Sequence, residues 1–250
     1  MPRKVFVTIV RHGETDHNKA GIIQGHLDVP LNSQGEAQAR HTAKWFREQG
    51  KRFDRAYSSD LSRARLTAQL ILKEQEGGLE LVQDVRIRER YLGNLQGKRR
   101  GDPGTDPSTV EPVSKLRSRL FSFWDELFLD LSSPFPSSPS FSSEEEEQPP
   151  LEILYVSHGA AIREFIQALI HDRPTSYDVS QLPRGEEEML KKGEKRIGNC
   201  ARTVIEMNPT NVLGENEKVE WKGKLLLYAD DTHFIDSSRA PSPRLNADIL

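Results

Sequence analysis

Two histidines stand in matched settings. Arg11-His12-Gly13-Glu14 follows the apolar run Val5–Val10, and Ser157-His158-Gly159 closes the run that begins at Leu151. In open α/β sheets ligands gather beyond the carboxyl ends of the strands, so two such junctions point to two imidazoles facing each other over one pocket. A glycine after each ring lets the backbone come close to a ligand. One histidine of this kind is more often a hydrogen-bonded structural residue. Two of them, one flanked by arginine, reverse that balance. A neutral imidazole is a competent nucleophile near pH 7 when an acceptor holds its other nitrogen.

Strand-like and helix-like segments alternate along the chain, as in a sheet covered by helices on its faces. After the first strand and a Gly-containing loop, Asn32/Ser33 opens a helix with Ala39, Ala43 and Phe46 on one face and Gly50 at its end. A short strand follows at Arg55–Ser58. Asp60 then reads as the cap of a helix whose stripe is Leu61, Ala64, Ala68, Ile71 and Leu72. Leu79–Val85 reads as a further strand. The next helix uses Leu116, Leu120, Phe123 and Leu127; the strand Leu151–Ser157 leads into a helix carrying Ile162, Phe165, Ile166 and Leu169. Ala201–Met207 and Lys224–Ala229 close the pattern. The segment 132–150 is rich in Ser, Pro and Glu and is expected to be a disordered insertion, with 237–250 a flexible tail. Residues 1–236 are thus expected to form one domain.

Bulk properties narrow the function. A formal net charge of −3 argues against a protein built to bind nucleic acid. The single cysteine, Cys200, excludes an internal disulfide or a cysteine-rich zinc site and fits a reducing compartment. No apolar run approaches the ~18–20 residues of a membrane span, and Val5–Val10 is too short and too β-branched for a secretory leader. The cytosol is the expected address, with the nucleus as the alternative.

The pattern Arg11-His12-Gly13-Glu14-Thr15-x-x-Asn18 resembles the histidine phosphatase superfamily, in its phosphoglycerate mutase and fructose-bisphosphatase branch. The likeness continues through Gln24-Gly25, Asp28-x-Pro30-Leu31-x-x-x-Gly35, Ser58-Ser59-Asp60-Leu61-x-Arg63-Ala64-x-x-Thr67-Ala68, Arg88-Glu89-x-x-x-Gly93-x-x-x-Gly97 and Val156-Ser157-His158-Gly159. Blocks in this order carry far more weight than one Arg-His-Gly. The resemblance implies a three-layer α/β/α sandwich with a mostly parallel sheet and a metal-independent phosphatase without a cofactor. It implies His12 as the nucleophile that becomes phosphohistidine, and Glu89 as the acid that protonates the leaving oxygen and then deprotonates water. Arg11, Arg63 and a cationic His158 would face the phosphoryl oxygens, with Asn18, Gln24, Gly25 and the N–H groups near Gly159 completing the cradle.

Weaker candidates surround this set. His17 and His26 read as ordinary loop histidines. Asp230, Asp231 and His233 look like metal ligands by composition alone, and Glu14 is as apt to orient Arg63 or the loop as to meet substrate. Lys98-Arg99-Arg100 is a basic cluster that is at least as apt to be merely exposed as to meet a second anionic group. The stretch Lys98–Thr109 is shorter than in the family, and Pro112 replaces a serine after Glu111, while Arg119 matches a family arginine. The short stretch suggests a roomier, wetter site, which favours hydrolysis over isomerisation. The expected function is therefore hydrolysis of phosphate monoesters of small metabolites, sugar phosphates or bisphosphates foremost. The alternatives are a phosphoglycerate mutase using the same histidine and a non-catalytic protein that binds phosphorylated ligands.

Overall fold

The computed structural model describes residues 2–99, 101–104, 106–132, 148–183, 185–210 and 219–234. Among them seven strands form one sheet: β1 (Val5–Arg11), β2 (Arg55–Ser58), β3 (Leu81–Gln83), β4 (Leu151–Ser157), β5 (Tyr177–Asp178), β6 (Arg202–Thr210) and β7 (Glu220–Asp230), in the order β3-β2-β4-β1-β6-β7-β5. Only β6 runs against the others, so the sheet is mostly parallel, as expected. Strands β1 and β4 lie side by side in its interior, where both faces are covered, and this is why both read as near-continuous apolar runs.

Helices cover both faces. Among the described residues, α1 (Asp16–Ala20) is a single turn in the first loop, followed by α2 (Ser33–Glu48), α3 (Ser62–Leu72), α4 (Val113–Ser132), α5 (Gly159–Asp172) and α6 (Glu186–Lys192). One core layer joins Ala39, Ala43 and Phe46 of α2 and Ala64, Ala68 and Ile71 of α3 to Val10, Leu154 and Val156 of the sheet. The other joins Leu116, Leu120, Phe123 and Leu127 of α4 and Ile162, Phe165 and Ile166 of α5 to Val7, Ile9, Ile153 and Tyr155. The chain leaving β1 turns to one face and the chain leaving β4 turns to the other. The crevice between these strand ends is the switch point where α/β sheets hold ligands.

Four sequence readings change. Asp60 does not cap α3: its carboxylate pairs with Arg88, 2.7 Å from Nε, and the α3 start is held by Asp28, which accepts from the Ser62 amide and hydroxyl at 2.7 Å each. The strand expected over Leu79–Val85 contracts to Leu81–Gln83, because the Asp84 side chain accepts from the Arg86 amide and starts a 3-10 turn at Val85–Ile87. Both β6 and β7 run longer than their apolar stretches, since each supplies the other's ladder partners out to Thr210 and Glu220. Ser132 ends α4 instead of opening an insertion; its hydroxyl donates to Phe128 O and accepts from Trp221 Nε1. Residues 133–147 and the tail 237–250 lie outside the described residues, and 148–150 are exposed and without regular structure. Elements α1, β5 and α6 escape sequence reading because each is short; α6 buries only Leu190.

Candidate active site

Register brings the two histidines together. Arg11 pairs with Ser157 at the last rung between β1 and β4, and the next residue of each chain is a histidine. The His12 amide donates to Ser157 O at 3.0 Å. The ring centroids of His12 and His158 lie 5.1 Å apart with planes inclined by 59°. Neither ring has any solvent exposure.

Hydrogen bonding fixes the tautomer of the first ring. His12 Nδ1 lies 2.7 Å from Gly13 O, and a carbonyl only accepts, so Nδ1 carries the proton. Nε2 then holds a lone pair and is buried without a hydrogen-bond partner, as are both ring nitrogens of His158. Burial, then Arg63, then Arg11 push the His12 pKa well below 6.5, against the opposing pull of Gly13 O. For His158 burial again comes first, followed by Arg63 and His12. Burial and the neighbouring Arg63 guanidinium thus favour the neutral form of His158, against the expected cationic ring, whereas an oxyanion in the pocket acts in the opposite direction.

The sign of the pH effect follows. Unfolded imidazoles titrate near 6.5 and these two titrate lower when folded, so the unfolded chain binds more protons below 6.5. Stability is complete above that pH and is lost as pH falls from it toward the folded values, by up to about 1.4 kcal/mol per pH unit for each ring. Urea midpoints are expected to be level from pH 8 to 6.5 and to drop below it, with a shallower drop in His158→Gln. Midpoints that stay level to pH 5 would show that the rings are charged in the native protein.

The surrounding groups come from several elements. Arg11 Nη1 donates to Ile197 O at 2.7 Å, and Gly159 lies close enough that a Cβ there would meet Arg11 Nε at 3.3 Å. Arg63, in the first turn of α3, sends its terminal nitrogens to Gly25 O and Leu27 O, both at 2.7 Å, and so holds the loop that carries Gln24. Gly25 sits at φ +52°, the left-handed region glycine adopts without strain. Gln24 is buried; its oxygen lies 3.0 Å from the Thr15 hydroxyl, and its Nε2 has no hydrogen-bond partner. The oxygen of Asn18 closes a capping box with Thr15. A Cβ on Gly13 would overlap the carbonyl of Gly35, so the loop after His12 rests directly on the start of α2.

Glu89 is buried at the start of α5. Its Oε1 accepts from the amides of Arg90 (2.8 Å) and Ala161 (2.9 Å), and its Oε2 from that of Ala160 (3.1 Å). The first turn of α5, expected to offer its N–H groups to a ligand, engages this carboxylate instead. Arg119 anchors the segment before it: Nη1 donates to Arg86 O and Arg88 O, and Nη2 to Glu89 O, all at 2.7 Å, while Nε and Nη2 fork onto Glu111 at 2.9 Å.

Other candidates take structural places. Glu14 accepts from Asn32 Nδ2 at 3.0 Å and so braces the loop. Asp230 pairs with Arg202, and His233 Nε2 donates to Thr42 Oγ1 at 3.0 Å while its ring packs on α2. Among the described residues no cluster could hold a metal ion. Lys98 Nζ donates to Gly104 O, and Arg100 lies outside the described residues. The short stretch after Gly97 is joined to the first loop through Ile23 N to Lys98 O (2.9 Å), Gly97 N to Ile23 O (2.8 Å) and an Ile22–Arg99 bridge.

Sequence reasoning missed Asn199, which donates to His12 O at 3.0 Å, and gave no role to Thr67, whose hydroxyl accepts from Gly13 N and donates to Arg63 O. Asn199 carries no local signal; only the fold brings it to His12.

Comparison with known proteins agrees with this geometry. The profile of the histidine phosphatase superfamily (branch 1) matches residues 7–186. A broad-specificity phosphatase of Saccharomyces cerevisiae is 30% identical over 177 residues, 68% of this chain and 73% of the yeast protein. Phosphoglycerate mutase-like protein 4 of Arabidopsis thaliana is 47% identical over 91 residues, 36% of this chain and 39% of the plant protein. In fold, a mycobacterial glucosyl-3-phosphoglycerate phosphatase superposes with a TM-score of 0.60 at 24% identity, over 90% of this chain and 98% of that one. The chain belongs to the histidine phosphatase superfamily, branch 1.

Proposed function

We propose that this protein is a metal-independent phosphatase that hydrolyses phosphate monoesters of small metabolites, with sugar phosphates or bisphosphates foremost, through a phosphohistidine at His12. The observation that carries the reading is the His12 ring, with Nδ1 tied to Gly13 O, a bare Nε2, and the His158 ring beside it. In the first step the Nε2 lone pair attacks phosphorus, the ester P–O bond breaks, and the departing oxygen takes the proton of Glu89. The dianionic phosphoryl group beside Glu89 favours that protonated form. In the second step Glu89 takes a proton from water, the water oxygen attacks phosphorus, and the N–P bond breaks to release phosphate and restore the lone pair. Arg11 and Arg63 supply fixed positive charge to the phosphoryl oxygens, the main catalytic device in phosphoryl transfer. His158, Asn18, Gln24 and the Gly25 and Gly159 backbone line the same space. Residues 1–236 are read as one domain, and the cytosol as its address.

The likeness to the yeast phosphatase spans 73% of that protein, whereas the match to the plant mutase-like protein stops at 39%, which supports hydrolysis. The complete burial of both rings favours the second reading, a mutase, because it shields a phosphohistidine from water. One experiment separates them: phosphate release from a panel of monoesters in the presence of a chelator, run beside interconversion of the two monophosphoglycerates with a bisphosphorylated primer. Release from the panel with no interconversion is the expected result. Strict dependence on an added divalent metal would overturn the mechanism.

A further inference from the structure

Five consecutive residues, Gln24 to Asp28, hold several parts of the site together. Gln24 presents its amide to the pocket, Gly25 O and Leu27 O accept from Arg63, and Asp28 fixes the start of the helix that carries Arg63. His26, between them, reaches the other way. Its amide donates to Gln96 Oε1 at 2.6 Å, and its ring Nε2 lies 2.7 Å from Glu89 O. Since a carbonyl only accepts, Nε2 carries the proton and donates. Tyr91 packs edge-on against the ring, with centroids 5.3 Å apart, and limits its rotation.

We propose that His26 is a positioning residue that sets the place of Glu89 relative to the phosphoryl group held by Arg63. The inference rests on the reading of Glu89 as the acid. The Glu89 carbonyl has two donors with different reach. Arg119 ties it to α4 and to the carbonyls of Arg86 and Arg88, so it fixes the acid-bearing segment as a whole. His26 ties the same carbonyl to the loop bonded to Arg63, so it sets the span between phosphorus and proton. Proton transfer needs heavy atoms within hydrogen-bond reach, and misplacement by about 1 Å costs up to about 10²-fold. Binding of the phosphoryl group itself does not pass through this bond.

The test uses leaving groups. p-Nitrophenolate departs without a proton, whereas the alkoxide of glycerol 3-phosphate needs one. In His26→Leu, kcat/KM for glycerol 3-phosphate is expected to fall roughly 10- to 100-fold, while kcat/KM for p-nitrophenyl phosphate and inhibition by inorganic phosphate stay within about twofold of the parent. His26→Gln, whose amide nitrogen reaches a similar point, is expected to restore most of the loss. His26→Asn, polar but too short, should behave as His26→Leu and replaces it if that variant does not fold. Glu89→Gln is the reference. Equal losses in kcat/KM on both esters in Glu89→Gln would remove the acid role and this inference with it. A selective loss in Glu89→Gln beside equal or absent losses in His26→Leu and His26→Asn would overturn the inference alone.

Discussion

His12→Ala is expected to remove turnover of every phosphate monoester, a loss on the order of 10⁵-fold or more, as when a covalent nucleophile is deleted elsewhere. The variant keeps Arg11, Arg63 and His158, so inorganic phosphate should still bind and still protect it against thermal unfolding. In the parent protein, rapid acid quench during turnover of a labelled ester should trap a phosphoryl group that is stable to alkali and labile to acid, the signature of an N–P bond. The acidic limb of kcat/KM belongs to the free protein, and there the His12 pKa is pushed well below 6.5 by burial and the two arginines. The rate constant should therefore stay level as pH falls through 6.5. Retention of more than a hundredth of the parent activity in His12→Ala would place the nucleophile elsewhere.

Glu89→Gln should cost about 10²–10⁴-fold on alkyl phosphates, the range found for a positioned general acid. It should also erase the basic limb of the pH profile, which belongs to the protonated carboxyl. The same substitution carries a structural cost that can be read separately. Glu89 accepts from three main-chain amides with both oxygens. Glutamine offers one oxygen and turns an NH₂ toward at least one of those donors, leaving a buried N–H unmatched at about 1–3 kcal/mol. Urea unfolding should report that loss, while kcat/KM with p-nitrophenyl phosphate, which does not include the hydrolysis of the phosphohistidine, should hardly change. A variant with the parent's rate on alkyl esters and an intact basic limb would take Glu89 out of the reaction.

The parts of the site that sequence made legible are those at the ends of strongly apolar runs. Strands β2 and β4 have the boundaries read from composition, and β1 extends its run by one residue, because a buried parallel strand leaves no choice of residue on either face. With those fixed, His12 and His158 had to emerge at neighbouring strand ends. What was not legible depends on partners far along the chain. Asp60 stands where a cap belongs, yet Asp28, 34 residues before Ser62, does that work, and Asp60 is drawn to Arg88. Glu89 could be assigned by resemblance, but not its seat on α5, 71 and 72 residues away. What lowers the His158 pKa is equally hidden: desolvation belongs to the assembled fold, and no neighbour in sequence announces it. The backbone bonds that join the stretch after Gly97 to Ile22 and Ile23 were equally out of sight, since they link segments far apart in the chain.

The burial of the two rings has a kinetic meaning. With both out of contact with water, an ester can arrive, and an alcohol can depart, only while some part of the wall around them moves aside. Each cycle then contains an admission and a discharge as well as two displacements at phosphorus. Bulky alcohols, needing the widest parting, are the ones for which that traffic sets the tempo.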